Sequence, residues 1–458
     1  MPAVVRPGPP PVRGSRAHGL PAGVDALCRR LHAEAAAALP QLSTTAPDCL
    51  VSLALRLPGT PLEEGFPAGG DTRWQGPGGE PALYGSGVAV RYTENAVVHW
   101  GQDCRRWVCL GDPALAPLAF FTLPPATESA QPTLRLPRAL LRHDHHGWGL
   151  VLTSRRGTQP PQQIVAQWLD AVRHLFTPSP GGHGHVVTRH TTPDADTWLA
   201  RVTAARAAIR AGRLTKVVLA RRLRAQLSHP VDVAGVTARL ASMYPACHVL
   251  SLPHDGGRVV AATPELLATK QGDSLICHAL AGTTRRQTDA PQAARTALLA
   301  SPKERHEHAL VVDAIKERMA RLCSAVEYAA QPSLLSLRFV QHLWTPLQGT
   351  LRAGIGLLDA ARTLHPTPAV LGTPDAAARD WLRACGEHRD GLYTGVAGWL
   401  DRNGDGAAVV VLRSAWLQAD SAVLWAGAGI VAASDPAAEL AETELKLQTM
   451  LEVLDPAP

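Results

Sequence analysis

The sequence has few aromatic residues, no paired-cysteine motif and no apolar run of membrane-spanning length. Aromatic residues make up 5% of the 458 residues, and no basic stretch is interleaved with them, which argues against a nucleic-acid-binding surface. The apolar stretches are too short to cross a bilayer, so we expect no contact with a membrane. The proline-rich start lacks an apolar segment of signal-peptide length, and residues 1–22 are predicted to be a disordered tail.

The eight cysteines show no CxxC spacing and are sparse for a chain of this length. This pattern is typical of free thiols in a reducing compartment, so we predict a cytoplasmic protein. Two histidine clusters, at 143–146 and 183–185, look like metal-binding patterns. Both stand in glycine-containing loop sequence without cysteine or glutamate ligands, so solvated loop histidines are the better interpretation.

The composition indicates a large hydrophobic core and a small excess of positive charge. Hydrophobic residues make up 46% of the chain and the formal net charge is +6. Such a modest excess, mostly scattered arginine, suits a small anionic substrate. Short apolar runs broken by glycine and proline alternate with a few longer helical patterns, which predicts an α+β fold with large antiparallel sheets. We divide the chain into an N-terminal part of that fold, residues 23–190, and a catalytic region, residues 191–458.

The helical and strand patterns place the chemically interesting residues. Helices are predicted near 25–39, 162–175, 193–212, 303–323, 374–384 and 436–454. Strands are predicted at 216–222, 259–263, 393–399 and 407–414.

Glutamates on two of the predicted helices form the first candidate site. Glu307 shares a helix face with Leu310, Val311 and Ala314, so its carboxylate points toward the core. A buried carboxylate needs a cation, and oxygen ligands on helices suit a hard ion such as Mg²⁺. The last helix carries a second set of glutamates, within 439–446.

Three more residues have both an ordinary and a chemical interpretation. Lys216 opens an apolar strand, where it either extends to the surface or, if desolvated, serves as a base. Glu265 follows a proline in an apolar turn and is either a helix-start acid or a proton donor with a raised pKa. Arg413 interrupts an apolar strand and pairs either with an acid or with a substrate carboxylate. Glu442 and Lys446 have i, i+4 spacing, for which an exposed ion pair is the simpler interpretation.

Two glycine-containing segments are weaker candidates. Residues 401–406 match the opening of a calcium loop, but Leu412 stands where a bidentate glutamate is required, so a hairpin turn is the better interpretation. Gly427 and Gly429 mark either a bulge or a close approach of the backbone to a ligand.

The order of these motifs resembles the chorismate-utilising enzymes, and the match is close over roughly residues 195–455. The segments that carry the resemblance are Lys216-Val-Val-Leu-Ala-Arg, Thr263-Pro-Glu-Leu-Leu, Leu280-Ala-Gly-Thr-Thr-Arg-Arg, Lys303-Glu-Arg-His-Glu-His, Val340-Gln-His-Leu, Leu364-His-Pro-Thr-Pro-Ala-Val, Tyr393-Thr-Gly-Val-Ala-Gly-Trp, Leu412-Arg-Ser, Gly427-Ala-Gly-Ile and Glu439-Leu-Ala-Glu-Thr-Glu-Leu-Lys. The resemblance implies two large antiparallel sheets packed together with helices outside.

The details within the family favour an isochorismate synthase, an isomerase. Lys216 stands where members that make anthranilate usually have glutamine, and the segment ending at Ala369 looks like that of isochorismate synthases. Salicylate synthases, which go on to eliminate pyruvate, typically have a hydroxyl residue at that position and are the alternative. A catalytically silent chorismate-binding protein is the non-enzymatic alternative. The sequence leaves open whether the product feeds menaquinone or siderophore synthesis, and we expect a monomer.

The resemblance also implies roles for single residues. Mg²⁺ would be held by Glu307 and Glu442, with Glu304 and Glu439 acting through waters. Neutral Lys216 would activate the attacking water, and protonated Glu265 would donate to the departing hydroxyl. The remaining expected substrate contacts are Gly282, Thr283, His342, Ala369, Tyr393, Arg413, Gly427 and Lys446.

Overall fold

The computed structural model describes residues 22–57, 67, 69–78, 80–93, 95–125, 127, 132–178, 184–287, 289 and 291–455. The predicted tail lies outside the described residues except for Ala22, which begins the first helix. His183, from the second histidine cluster, also lies outside them.

Ten helices are formed by the described residues. They are α1 (Ala22–Thr44), α2 (Ala96–Arg105), α3 (Pro161–Phe176), α4 (Ala195–Arg210), α5 (Val233–Met243), α6 (Pro291–Ala300), α7 (Pro302–Leu322), α8 (Leu357–Leu364), α9 (Asp375–Ala384) and α10 (Pro436–Leu454).

The same residues form 21 strands. They are β1 (Leu50–Leu57), β2 (Thr72–Gln75), β3 (Ala82–Tyr92), β4 (Trp107–Gly111), β5 (Ala119–Leu123), β6 (Thr133–Asp144), β7 (Gly147–Arg155), β8 (Val186–Thr192), β9 (Lys216–Leu227), β10 (His248–His254), β11 (Gly257–Thr263), β12 (Leu266–Gln271), β13 (Ser274–Arg285), β14 (Cys323–Tyr328), β15 (Ser333–Ser336), β16 (Val340–Leu351), β17 (Gly372–Thr373), β18 (Val396–Leu400), β19 (Gly406–Val410), β20 (Ser414–Gln418) and β21 (Ser421–Ile430).

The strands form one continuous hydrogen-bonded network with two arms that separate at β6. One arm runs through β3, β2, β10, β11, β20 and β21 to β9, and the other runs through β5, β18, β19, β12 and β13 to β16. The pairings along both arms are antiparallel, whereas β1 and β4 pair in parallel at the N-terminal edge. The predicted α+β fold with large antiparallel sheets is therefore confirmed, and the two sheets are the two arms of this network.

The main core lies where the far ends of the two arms face each other. Val217 and Leu219 of β9 and Cys277 and Ala279 of β13 belong to the same cluster of buried side chains, together with apolar faces of α4, α7 and α8. Burial of this shared surface stabilises the fold by the hydrophobic effect and fixes β9 opposite β13. The residues of the candidate site lie along this junction.

Local sequence explains why α7 and α10 begin where they do. The Ser301 side chain accepts a hydrogen bond from the backbone N–H of Glu304, and the Asp435 side chain accepts one from Ala438. Each cap is followed directly by a proline, whose fixed φ suits the first helical position. Both helices therefore present a pair of glutamates, three residues apart, in their first two turns.

Two strand predictions near the C-terminus are wrong in detail. The strand predicted over 393–399 begins at Val396, since Thr394 has a positive φ of 63°. The strand predicted over 407–414 divides into β19 and β20, because Arg413 adopts a φ of 47°. Left-handed backbone cannot continue a pleated strand, so Arg413 lies in a break and not within a strand.

Other local predictions agree with the structure. The turn at 401–406 joins β18 to β19 as an antiparallel hairpin. All eight cysteines are free thiols. Glu265 lies between β11 and β12, so its alternative as a helix-start acid is wrong. Among the described helices, none has both the length and the apolar character that crossing a bilayer requires.

Candidate active site

One cavity at the junction of the two arms collects most of the residues predicted for the site. Eleven of them line it: Glu265, Gly282, Thr283, Glu307, His342, Ala369, Tyr393, Arg413, Gly427, Glu442 and Lys446. Glu304 and Glu439 line an adjoining cavity that shares Thr283 and Glu442 with the first. The remaining residue, Lys216, lies directly behind Glu307.

Lys216 is a buried lysine with a buried acid beside it. It begins β9, its side chain is 1% exposed, and its Nζ atom lies 2.8 Å from Oε1 of Glu307. Burial alone would raise the pKa of the Glu307 carboxyl, but the neighbouring lysines, of which Lys216 acts most strongly, together hold that pKa below its usual value. The predicted inward direction of Glu307 is confirmed, and its cationic neighbour in the protein is Lys216.

Glu265 provides an acid whose environment favours the protonated form. It is 4% exposed, and burial raises its pKa to about 7 although Lys216 opposes the shift. Thr367 donates a long hydrogen bond of 3.4 Å to its Oε1 atom. The backbone on either side is fixed, since Thr263 Oγ1 accepts from the N–H of Glu265 and Val410 donates to its carbonyl. A carboxyl that titrates near neutral pH can donate a proton under physiological conditions.

Arg413, His342 and Thr283 form a hydrogen-bonded chain along one wall. Nη2 of Arg413 lies 3.1 Å from Nε2 of His342, and Nδ1 of the same ring lies 3.0 Å from Oγ1 of Thr283. An arginine only donates, so Nε2 must accept and Nδ1 must carry the ring proton. Burial, Arg413 and Lys446 hold the pKa of His342 well below its usual value, which keeps the ring neutral.

A stacked aromatic pair also lines the cavity. The rings of Tyr393 and Trp425 stack at 5.5 Å with an interplanar angle of 8°. Burial raises the pKa of Tyr393, so its hydroxyl remains protonated and can donate a hydrogen bond. A planar apolar surface beside buried cations suits a ring-shaped anionic ligand.

Lysines neutralise the four acids of α7 and α10. Lys446 Nζ lies 2.5 Å from Oε1 of Glu442 and donates to the carbonyl of Gly427 at 2.8 Å. Lys303 Nζ lies 3.1 Å from Glu304 and 2.8 Å from Glu439. The simple interpretation of Glu442 and Lys446 as an exposed pair is wrong, because their side chains are only 19% and 15% exposed.

The same acids have the chemistry of a site for a hard cation. Burial, followed by the charge of Glu442, raises the pKa of Glu439 to about 7, although Lys303 opposes the shift. No three His, Cys, Asp or Glu side chains among the described residues converge into a ready-made metal site. Mg²⁺, however, commonly uses one or two protein carboxylates together with waters and substrate oxygens. Glu307 and Glu442, which face the same cavity from two helices, fit that requirement.

Two residues near the site were not among the predicted site residues, although the sequence marks Gly429 as either a bulge or a close approach of the backbone to a ligand. Gly429 is required by space, because a Cβ atom there would lie 2.2 Å from Oε1 of Glu307 and 2.8 Å from Cε of Lys216. Arg389 is a fully buried arginine that donates to the carbonyls of Val370 and Val218 at 2.6 and 2.7 Å and pairs with Glu387. The glycine motif is the sequence signal that could have identified Gly429. The loop around Arg389 has no periodic pattern that would have identified that residue.

Comparisons with known proteins agree with this geometry. The chorismate binding enzyme family matches residues 113–455. Isochorismate synthase EntC of Escherichia coli is 37% identical over 272 residues, which are 59% of this chain and 70% of that protein. Isochorismate synthase DhbC of Bacillus subtilis is 34% identical over 281 residues, 59% of this chain and 71% of that protein.

A solved structure extends the similarity to nearly the whole chain. MenF, the menaquinone-specific isochorismate synthase of Escherichia coli, matches with a TM-score of 0.77 and 28% identity, covering 92% of this chain and 99% of that one. The chain belongs to the chorismate binding enzymes. Within that family, the relatives named here are all isochorismate synthases.

Proposed function

We propose that the protein is an isochorismate synthase, which interconverts chorismate and isochorismate by adding water at C2 and releasing the hydroxyl at C4. The observation that carries the proposal is a buried acid of raised pKa, Glu265, that lines the cavity, together with a buried lysine, Lys216, whose charge acts on Glu265 from behind Glu307. Hydroxyl replaces hydroxyl, so the reaction is an isomerisation and should be reversible. The names of the relatives support the same reaction.

Lys216 is proposed to take the proton from the attacking water. An amine acts as a base only when it is uncharged. The Lys216 Nζ atom is buried and lies 2.8 Å from Oε1 of Glu307, which lines the cavity.

Glu265 is proposed to protonate the departing C4 hydroxyl. The two groups then move protons in opposite senses, the lysine gaining one and the glutamic acid losing one, and exchange with solvent restores both. The environment of Glu265 suits its part in this division, because burial in an apolar turn raises its pKa to about 7.

Arg413 and Tyr393 are proposed to hold the enolpyruvyl carboxylate of chorismate. The Arg413 guanidinium is fixed through His342, which leaves other N–H groups of its fork free to face the cavity. Gly282, Thr283, Ala369 and Gly427 would bring backbone and small side chains close to the ring. Lys446 would add positive charge from the last helix.

We propose that Mg²⁺ is the cofactor, held by Glu307 and Glu442, with Glu304 and Glu439 supporting it through waters. When bound, the ion supplies a template and an electrophile for the ring carboxylate of the substrate. The contribution of the chain would be to present Glu307 and Glu442 to this cavity, and Glu304 and Glu439 to the adjoining one, from two capped helices.

Incubation of purified protein with chorismate and Mg²⁺, followed by chromatography, tests the function. Isochorismate should appear and approach equilibrium with chorismate from either direction. Salicylate with equimolar pyruvate would instead assign a salicylate synthase. Calorimetric binding of chorismate without any product would indicate a silent binding protein.

A further inference from the structure

A second cavity lies away from the candidate active site. Its volume is about 360 Å³, against about 70 Å³ for the candidate active site, and the two share no lining residue. It is enclosed by the face of β3, β5 and β6, by the tip of the hairpin between β10 and β11, and by the segment 389–392. Its size is in the range of small-molecule sites, about 300–1,000 Å³.

The floor of this cavity carries two arginines directly opposite each other. Arg91 of β3 pairs in register with Arg135 of β6, so both side chains leave the same face of the sheet. Both arginines line the cavity, and burial, followed by the charge of Arg91, lowers the pKa of Arg135. Like charges directly opposite in a sheet are destabilising, and the pair places two positive charges on the floor of the cavity.

Neither guanidinium is neutralised within the part of the chain that the structure describes. No hydrogen bond or ion pair to a described residue is formed by Arg91 or Arg135. The acids that act on Arg135 from a distance have other partners: Asp71 accepts from the N–H of Gly87, and Asp255 lies 3.3 Å from Nε2 of His254. Among the described residues, the cavity therefore presents two cations without an ion-pair partner.

A second acid on the cavity wall, besides Asp255, also has a partner elsewhere. Asp390 pairs with Arg222 at 2.8 Å. Arg389 also lines the cavity, but its guanidinium is already paired with Glu387. The positive charge available to a ligand is therefore that of the cross-strand arginine pair.

The rest of the floor is partly polar and partly aromatic. Thr122 of β5 pairs in register with Thr133 of β6. Each lies two residues from a member of the Phe120–Arg135 pair on its own strand, so all four side chains leave the same face of the sheet. Phe120 lies directly across from Arg135, and Leu252 and Trp416 complete the wall. The two guanidinium groups and the threonine hydroxyls can donate hydrogen bonds to a carboxylate. The apolar side chains of the wall can pack against a hydrocarbon part of the same ligand.

We propose that this cavity is a binding site for a small organic carboxylate with an apolar body, held by Arg91 and Arg135. The site is independent of the reaction assigned to the other cavity. Its ligand would also touch Gly391 and Leu392, which directly precede Tyr393 of the candidate active site.

Isothermal titration calorimetry with benzoate at low ionic strength tests the proposal, with benzamide and inorganic phosphate as comparison probes. Benzoate should bind, and Arg135→Gln and Arg91→Gln should each weaken it about tenfold or more, since each removes a charged hydrogen-bonding partner. Benzamide, which lacks the charge, and phosphate, which lacks the ring, should bind at least about tenfold more weakly. Arg29→Gln, at an exposed position of α1, should bind as the wild type does.

One further variant and one further measurement make the test specific to this cavity. Benzoate affinity should survive Arg413→Gln; its loss there would move binding to the other cavity and overturn the proposal. Arg91→Gln and Arg135→Gln should melt no lower than the wild type, because a like-charge pair is relieved. Absence of benzoate binding by the folded wild type, equal binding of phosphate, or undiminished binding by both arginine variants would each overturn it.

Discussion

Nη2 of Arg413 lies 3.1 Å from Nε2 of His342, which makes a neutral histidine the acceptor that orients a buried arginine. Loss of either side chain should therefore affect substrate binding. Arg413→Gln should raise KM for chorismate about 10- to 100-fold, since a buried charged contact contributes about 1.5–3 kcal/mol. His342→Leu should raise KM in the same direction, and His342→Asn, whose amide oxygen can still accept, should raise it less.

Steady-state kinetics on purified variants measures this effect. Arg189→Gln, at an exposed position of β8, is the matched control and should leave KM unchanged. A His342→Leu variant with wild-type KM would show that the ring does not orient Arg413 for the substrate.

Lys216→Ala should lose turnover while retaining chorismate binding. Removal of a general base typically lowers the rate about 10²- to 10⁴-fold, and the cavity wall itself is formed by other residues. Chromatography gives the rate and calorimetry gives the affinity. Lys316→Ala, which alters an exposed lysine of α7, should match the wild type in both, and undiminished isochorismate formation by Lys216→Ala would refute the role of the base.

The raised pKa of Glu265 predicts a decline of activity on the alkaline side. The donor must be protonated, and its pKa is about 7, so kcat/KM should fall about tenfold for each pH unit above that value. Glu265→Gln should abolish turnover. If kcat/KM of the wild type stays constant between pH 7 and 9, Glu265 is not the proton donor.

Glu265 should also lower the free energy of unfolding at high pH. Its pKa rises from 4.5 to about 7 on folding, so the folded chain holds a proton that the unfolded chain has released in that window. The contribution of Glu265 to the free energy of unfolding therefore falls as the pH rises from 4.5 to 7, by up to about 3 kcal/mol. Denaturant unfolding should show Glu265→Gln gaining stability relative to the wild type between pH 5 and 8.

Gly429→Ala should inactivate the enzyme without unfolding it. The added methyl group would lie 2.2 Å from Oε1 of Glu307, so the carboxylate and the neighbouring lysine must move. The rate of isochorismate formation and the melting temperature measure the two effects separately. Gly101→Ala, where the nearest atom is 3.8 Å away and the residue lies in α2, should keep full activity and be at least as stable.

Metal dependence should follow the acids of α7 and α10. Chelation should abolish turnover and Mg²⁺ should restore it. Glu307→Gln and Glu442→Gln should each weaken Mg²⁺ about tenfold or more in calorimetry, and Glu304→Gln and Glu439→Gln should have smaller effects if they act through waters. Glu317→Gln, an exposed acid of α7, should bind Mg²⁺ as the wild type does; equal binding by all five variants would exclude these ligands.

Local sequence patterns predicted the structure correctly where neighbouring residues alone determine the backbone conformation. The caps and prolines of α7 and α10, the strand that opens at Lys216 and the hairpin at 401–406 follow from nearby residues, and the predicted fold is confirmed. The short helices α2, α5, α6 and α8 were missed. In α5 the β-branched residues and a glycine hide the helical pattern, which packing of Val236 and Leu240 stabilises.

Tertiary contacts determined what sequence patterns could not show. Arg413 looked like a strand residue because its neighbours are valines and leucines, yet its backbone is left-handed. The pairing of Lys216 with Glu307 joins residues that are far apart in the chain, and so does the contact of Arg389 with Val218. The roles assigned to these side chains remain predictions for the experiments above.

Arg389 ties together three segments that are separate in sequence: β9 through Val218, the turn at Val370 and the loop at Glu387. Its guanidinium is fully buried, so local unfolding of any one of these segments would leave part of a buried charge without hydrogen-bond partners. Local fraying of this wall is therefore suppressed. Amide protons along it, such as that of Ala220 bonded to Glu387, should exchange with deuterium only when the whole domain opens.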